Sequence, residues 1–181
     1  MRRTILLTAA VGVLLGACGQ AASNKASRPQ ARVSIQEVMQ SQVDAPADVI
    51  WGATSTIVDA SGTQTFAPKT EEDWLALRHA AVTLLEAPNL LVMRGRPLLR
   101  PGAKVEAEGE GWVADSAQIE AAIKKDWRHY ERGAWGLQAV AQEVLTAVDR
   151  RDVDQLELAS GKLLEACHAC HSRFWFASDQ P

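Results

Sequence analysis

Apolar residues recur at helical spacing in four stretches of the chain. Ile35, Val38, Met39 and Val43 fall on or near one face of a first helix, which the capping box Ser34-Ile35-Gln36-Glu37 starts. Pro46 either kinks that helix or sits in the first turn of a second piece, which carries Val49, Ile50 and Trp51 and runs to about Ile57. Thr70-Glu71-Glu72-Asp73 opens the next helix, with acids where the helix dipole favours them, and Trp74, Leu77, Ala81, Leu84 and Leu85 follow at helical spacing until Pro88 closes it. From Asp115 or Ser116 to about Arg150, a broad stripe of Ile119, Ile123, Trp127, Ala134, Leu137, Val140, Val144, Leu145 and Val148 predicts one long helix. Gly133 and Gly136 lower its intrinsic stability or let something pack close to its backbone. Asp152 caps a last helix through Val153, Leu156, Ala159, Leu163 and Leu164.

Turn formers in "DASGTQTFAPK" predict a loop over 59–69, and the Pro- and Gly-rich run over 88–114 predicts a long surface connection. No segment alternates convincingly as a strand and none repeats. The expected fold class is all-α, an antiparallel four-helix bundle over residues 34–181, its first helix interrupted at Pro46.

The first residues belong to a different pattern. Arg2 and Arg3 precede an apolar run from Thr4 to Leu15 that is too short to span a bilayer comfortably, and the segment 1–17 reads as an export signal. It ends in Leu15-Gly16-Ala17-Cys18, which resembles the lipobox of bacterial lipoproteins. That resemblance implies cleavage before Cys18 and acylation of its sulfur; the plain alternative is an ordinary signal peptide with a chance cysteine. Several acyl chains on one residue hold a protein at a membrane far better than one. Gly19 follows where an aspartate would signal retention at the inner membrane, so the outer membrane is favoured. Residues 18–33 then read as a lipidated, flexible tether.

Charge and composition narrow the partners. The chain has 181 residues, 47% of them hydrophobic, enough for one domain with a core. Removing residues 1–17 takes two of the 19 basic residues and leaves 17 against 22 acidic ones, a net charge of -5. A mildly acidic domain without a basic patch argues against nucleic acid as a partner.

Only three cysteines are present, and two of them stand in Cys167-His168-Ala169-Cys170-His171. On a helix Cys167, Cys170 and His171 occupy i, i+3 and i+4 and share one face. Covalent attachment of haem c requires this arrangement, with two thiols for two vinyl groups and an imidazole for the iron on the same side. A thioredoxin-like couple belongs at a helix N-terminus after a strand, and a zinc site needs more ligands than this segment offers. With Cys18 lipidated, no thiol is left over in an exported protein.

A helical bundle with this motif on its last helix resembles the class II cytochromes c, cytochrome c′ and its low-spin relatives, over roughly residues 34–177. The resemblance implies one haem in the bundle core, His171 as proximal iron ligand and Met39 of the first helix facing the distal side. Phe174 keeps an aromatic three residues after the ligand histidine, whereas Trp175 and Ile35 stand where the family often has basic residues. Propionate partners therefore do not carry over, and Arg32 and Arg173 are the candidates by default.

Met39 can ligate iron or fill the core, and Met93 in the irregular segment is the other methionine of the mature chain. His168 is expected at solvent or the haem edge, His79 and His129 at the surface, and Trp51, Trp74, Trp127 and Trp135 in the core. The expected function is single-haem electron transfer without bond chemistry, by a lipid-anchored periplasmic protein with redox-protein partners; a homodimer is allowed. The alternative is a sensor or scavenger of nitric oxide or carbon monoxide with an open distal site.

Overall fold

A computed structural model describes residues 29–177, so the export signal at 1–17, Cys18 and the tether as far as residue 28 lie outside the described residues. The described chain is mainly helical, with one small two-stranded sheet. Among the described residues no helix is long and apolar enough to cross a membrane.

The first helical run starts as expected at Ser34. Its Oγ accepts the Glu37 N–H at 3.2 Å while Glu37 Oε2 accepts the Ser34 N–H at 2.8 Å, closing a capping box on α1 (Ile35–Val38). A π-helical segment, Met39–Asp44, follows, and α2 (Ala45–Ala53) continues from it with Pro46 in its first turn. The proline neither breaks nor ends the run. The wider π turn, in which the Ala45 N–H reaches back to the Gln40 carbonyl, precedes the ring that an α-helical interior would reject.

Residues expected to form the end of that helix and a loop instead pair as an antiparallel hairpin, β1 (Ser55–Asp59) with β2 (Gly62–Phe66). Thr56, Val58, Thr63 and Thr65 favour extended backbone, and Asp59 Oδ1 accepts the Ser61 N–H at 2.7 Å across the turn. Gly62 follows at φ +125°, a conformation that β-branched residues avoid. Every β2 residue is exposed, and without a buried face no apolar alternation advertises the strand.

Helix α3 (Glu71–Leu91) begins at a Thr70–Asp73 capping box and runs through Pro88 rather than stopping there. The proline takes one N–H from the helical ladder; close by, Gln138 Nε2 donates to the Leu85 carbonyl at 3.2 Å. The expected long helix over 115–150 is two helices, α4 (Ser116–Lys125) and α5 (Trp127–Arg150). Asp126 leaves helical geometry, and its carboxylate accepts the His129 N–H as the cap of α5. Arg151, in the left-handed conformation, and Asp152 turn the chain into α6 (Val153–Phe174), which Asp152 caps by accepting the Gln155 N–H at 3.0 Å.

Helix α5 packs along α6 and α3, and α3 in turn packs on α2. Ile50, Leu77, Leu84, Leu91, Leu156 and Leu163, with Ile119 of α4, are fully buried in one core. Leu84→Ala should therefore cost about 2–5 kcal/mol, read as a lowered urea midpoint. Leu75→Ala, at a 53% exposed position of the same helix, should stay within about 0.5 kcal/mol. The irregular segment after α3 is not a free surface connection. It buries Leu98, Val105 and Val113, and its Pro97 and Leu98 carbonyls accept the Ile35 and Gln36 N–H groups at 2.8 and 3.1 Å, satisfying the open end of α1. Its far end pairs with the chain beyond α6, through Ala114 N–H to Trp175 O and Ala177 N–H to Trp112 O, both at 2.9 Å.

Candidate functional site

The run from α1 to α2 packs well on α3 but touches α6 only sparsely. One tie is Trp51, whose Nε1 donates to the Ser160 carbonyl at 3.1 Å, about two helical turns before Cys167. Beyond that tie the helices stand apart, and a cavity of ≈ 250 Å³ lies between them.

Three helical faces build its walls. From the first run come Gln36, Met39, Gln40, Val43, Asp44 and Ala47, a stripe carried through the π-helical segment without changing side. Helix α5 contributes Tyr130, Gly133, Ala134 and Leu137. Helix α6 contributes Ala166, Cys167, Cys170 and His171, so the three residues of the Cys-x-x-Cys-His motif line one cavity, as their i, i+3, i+4 spacing requires. Trp51, Leu91, Trp175 and Glu106 complete the lining, Glu106 arriving from the irregular segment. Its backbone N–H donates to Gln36 Oε1 at 3.1 Å, and its carboxylate accepts from Gln40 Nε2 at 3.2 Å.

Both cysteines are free thiols, half-buried. Burial pushes the Cys167 thiol up, and nearby Asp44 adds to this. Cys170 is pushed up to about 11, by burial first and then by Cys167. Burial pulls His171 down and His168 reinforces the shift, while Asp44 opposes it. At neutral pH the imidazole is therefore neutral and keeps a lone pair to donate. Asp44 is raised by partial desolvation and by Asp48 and Glu106, with His171 acting the other way.

Within this wall Tyr130 is buried, its hydroxyl donating to the Leu91 carbonyl at 3.4 Å and its ring 5.2 Å from Trp127 and 6.0 Å from Phe174. His171 lies 5.9 Å from the Trp175 ring and 6.1 Å from the Phe176 ring.

Met39 and the cysteine–histidine motif thus line one cavity from opposite helical runs. Met93 does not join them; its sulfur accepts from Arg96 Nη2 at 3.4 Å. His168 is exposed beside Phe176, and His79 and His129 are exposed, His129 against Asp126. Neither Arg32 nor Arg173 lines the cavity, Arg173 being paired with Asp126. Trp51, Trp74 and Trp127 pack against the core as expected, but Trp135 is 42% exposed. Its position between Ala134 and Gly136 puts it on the outer side of α5, off the stripe that Ala134 and Leu137 mark.

The donor set suits a covalently held porphyrin: two free thiols and a neutral imidazole on one side, a thioether on another, and apolar Val43, Ala47, Leu91, Ala134 and Leu137 between them. Among the described residues no three His, Cys, Asp or Glu side chains gather as a metal site. A haem asks for fewer protein donors than such a site, because the porphyrin ring supplies the others. Comparison with protein-family models, curated proteins and solved structures finds no match.

Proposed function

We propose that this is a membrane-tethered periplasmic c-type cytochrome of the class II kind, an electron carrier with one haem c. In this reading α1–α2, α3, α5 and α6 are the helices of an antiparallel four-helix bundle. The observation that carries it is the convergence of Cys167, Cys170, His171 and Met39 on one apolar cavity.

Haem, when bound, supplies a one-electron ferric–ferrous couple. Cys167 and Cys170 would hold its edge, and His171, kept neutral by burial, would offer a nitrogen lone pair to the iron. Met39 offers a soft, neutral sulfur from the other wall, which favours the reduced state. Val43, Ala47, Leu91 and Leu137 would shield one side of the bound group from water, and a drier surround lowers the reorganisation that a change of charge demands. No residue is asked to make or break a substrate bond, so the protein is not an enzyme in this reading. Lipid on Cys18 would hold it at the membrane, the outer one being favoured, with redox proteins as partners.

A spectrum of the reduced protein before and after carbon monoxide tests the assignment. The expected result is a low-spin haem c spectrum that the gas leaves unchanged. A high-spin spectrum that shifts with carbon monoxide would replace electron transfer with binding of nitric oxide or carbon monoxide. A colourless protein from a host competent in haem attachment would remove both.

A further inference from the structure

Gly133 lies in the interior of α5, where glycine is the weakest helix former after proline. A Cβ placed on it would stand 3.0 Å from Cys170 Sγ and 3.4 Å from Cys170 Cβ. The first separation is tighter than an ordinary carbon–sulfur contact, so a side chain at 133 makes the thiol give by a few tenths of an ångström. Gly136, one turn further along the same helix, has nothing within 4 Å of the corresponding position. The two glycines share a helix and a helical penalty, and only one of them faces a cysteine.

We propose that Gly133 is a positioning residue for covalent attachment at Cys170: its missing side chain leaves the space in which Cys170 Sγ is held toward the cavity. This rests on the haem-binding reading above. The Cys170 S–H adds across a vinyl C=C, so an S–C bond forms at the inner carbon, the π bond is lost and the thiol hydrogen ends on the outer carbon, with no change of oxidation state overall. Such an addition tolerates little error in where sulfur sits, since the porphyrin is held at the same time by Cys167 and His171. A methyl group at 133 presses on the sulfur and shifts it by a few tenths of an ångström. No Cys167 atom lies within 4 Å of that Cβ, so the effect falls on one thioether of the two.

The full chain is produced in a bacterial host that attaches c-type haem, as wild type, Gly133→Ala and Gly136→Ala. Free thiols are alkylated and each product is analysed by intact and peptide mass. Wild type and Gly136→Ala should carry haem on both cysteines. Gly133→Ala should show a several-fold larger fraction attached through Cys167 alone, alkylated at Cys170, with its reduced haemochrome band at longer wavelength because one vinyl group survives. Equal double attachment in the two alanine variants overturns the proposal.

If Gly133→Ala fails to accumulate, Gly133→Ala/Cys170→Ala is compared with Cys170→Ala. Equal accumulation supports the collision with Sγ, whereas renewed failure assigns Gly133 to helix packing only and overturns it. Should wild type itself carry no haem, the haem-binding reading fails separately. Alkylation rates in the haem-free chains then decide the contact: a several-fold change at Cys170 relative to Cys167 in Gly133→Ala supports it, and no change overturns it.

Discussion

Replacing Cys167 and Cys170 together with alanine yields a protein from which acidified organic solvent removes all of the haem, while the wild-type protein keeps its colour through the same treatment. The expectation follows from the two thiols being the only free ones in the described chain and from their shared position on the cavity wall. Each single alanine variant should retain haem through the remaining thioether, so extraction should be all-or-none only in the double variant. His171 stays in place in all three, and acid extraction separates its contribution, because an imidazole–iron bond is lost when the imidazole is protonated and a thioether is not. Haemochrome spectra of extract and residue provide the measurement. Haem that resists extraction from the double variant would mean that another group holds it, and the assignment of Cys167 and Cys170 would fall.

The half of the site that lies on α6 was legible from spacing alone. Cys-x-x-Cys-His on a helix puts three groups on one face whatever surrounds them, and the cap at Asp152 placed that helix. The opposite wall was legible only in part. Gln36, Met39, Gln40, Val43, Asp44 and Ala47 recur at alternating intervals of three and one and share one face, but two amides and a carboxylate interrupt the apolar pattern by which a buried face is recognised. Glu106 gave no signal, since a residue of an irregular segment reaches a site through pairings such as that with Gln36, which separation in sequence conceals. Tertiary contacts also decided the breaks. Pro88 was tolerated inside α3, and Asp126 divided a stripe whose apolar period ran on without interruption. The hairpin at 55–66 gives no periodic signal because periodicity marks buried faces and every residue of β2 is exposed.

Met39→Leu should turn a low-spin haem that ignores carbon monoxide into a high-spin haem that binds it, with a fall in reduction potential. Leucine is the informative replacement because it nearly matches methionine in volume, so packing is conserved to within about 1.5 kcal/mol while the sulfur is lost. Met39→Ala should give the same spectrum with a larger loss of stability, about 2 kcal/mol or more for truncating a side chain packed against the core. Spectrum and stability thus move independently, and their separation distinguishes a ligand from a core filler. If Met39 only fills space, Met39→Leu leaves spin state and gas response unchanged, and the wild-type protein already binds carbon monoxide. The cavity walls allow for this distinction: Val43, Ala47 and Leu137 carry no atom able to ligate iron, so once the sulfur is gone the nearest protein donors from the first run are the amides of Gln36 and Gln40 and the carboxylate of Asp44. These are hard oxygen donors that compete poorly for ferrous haem. Loss of one sulfur should therefore leave an open coordination position rather than a substituted one, and in the proposed reading the choice between passing electrons and holding gases comes down to a single side chain on the π-helical segment.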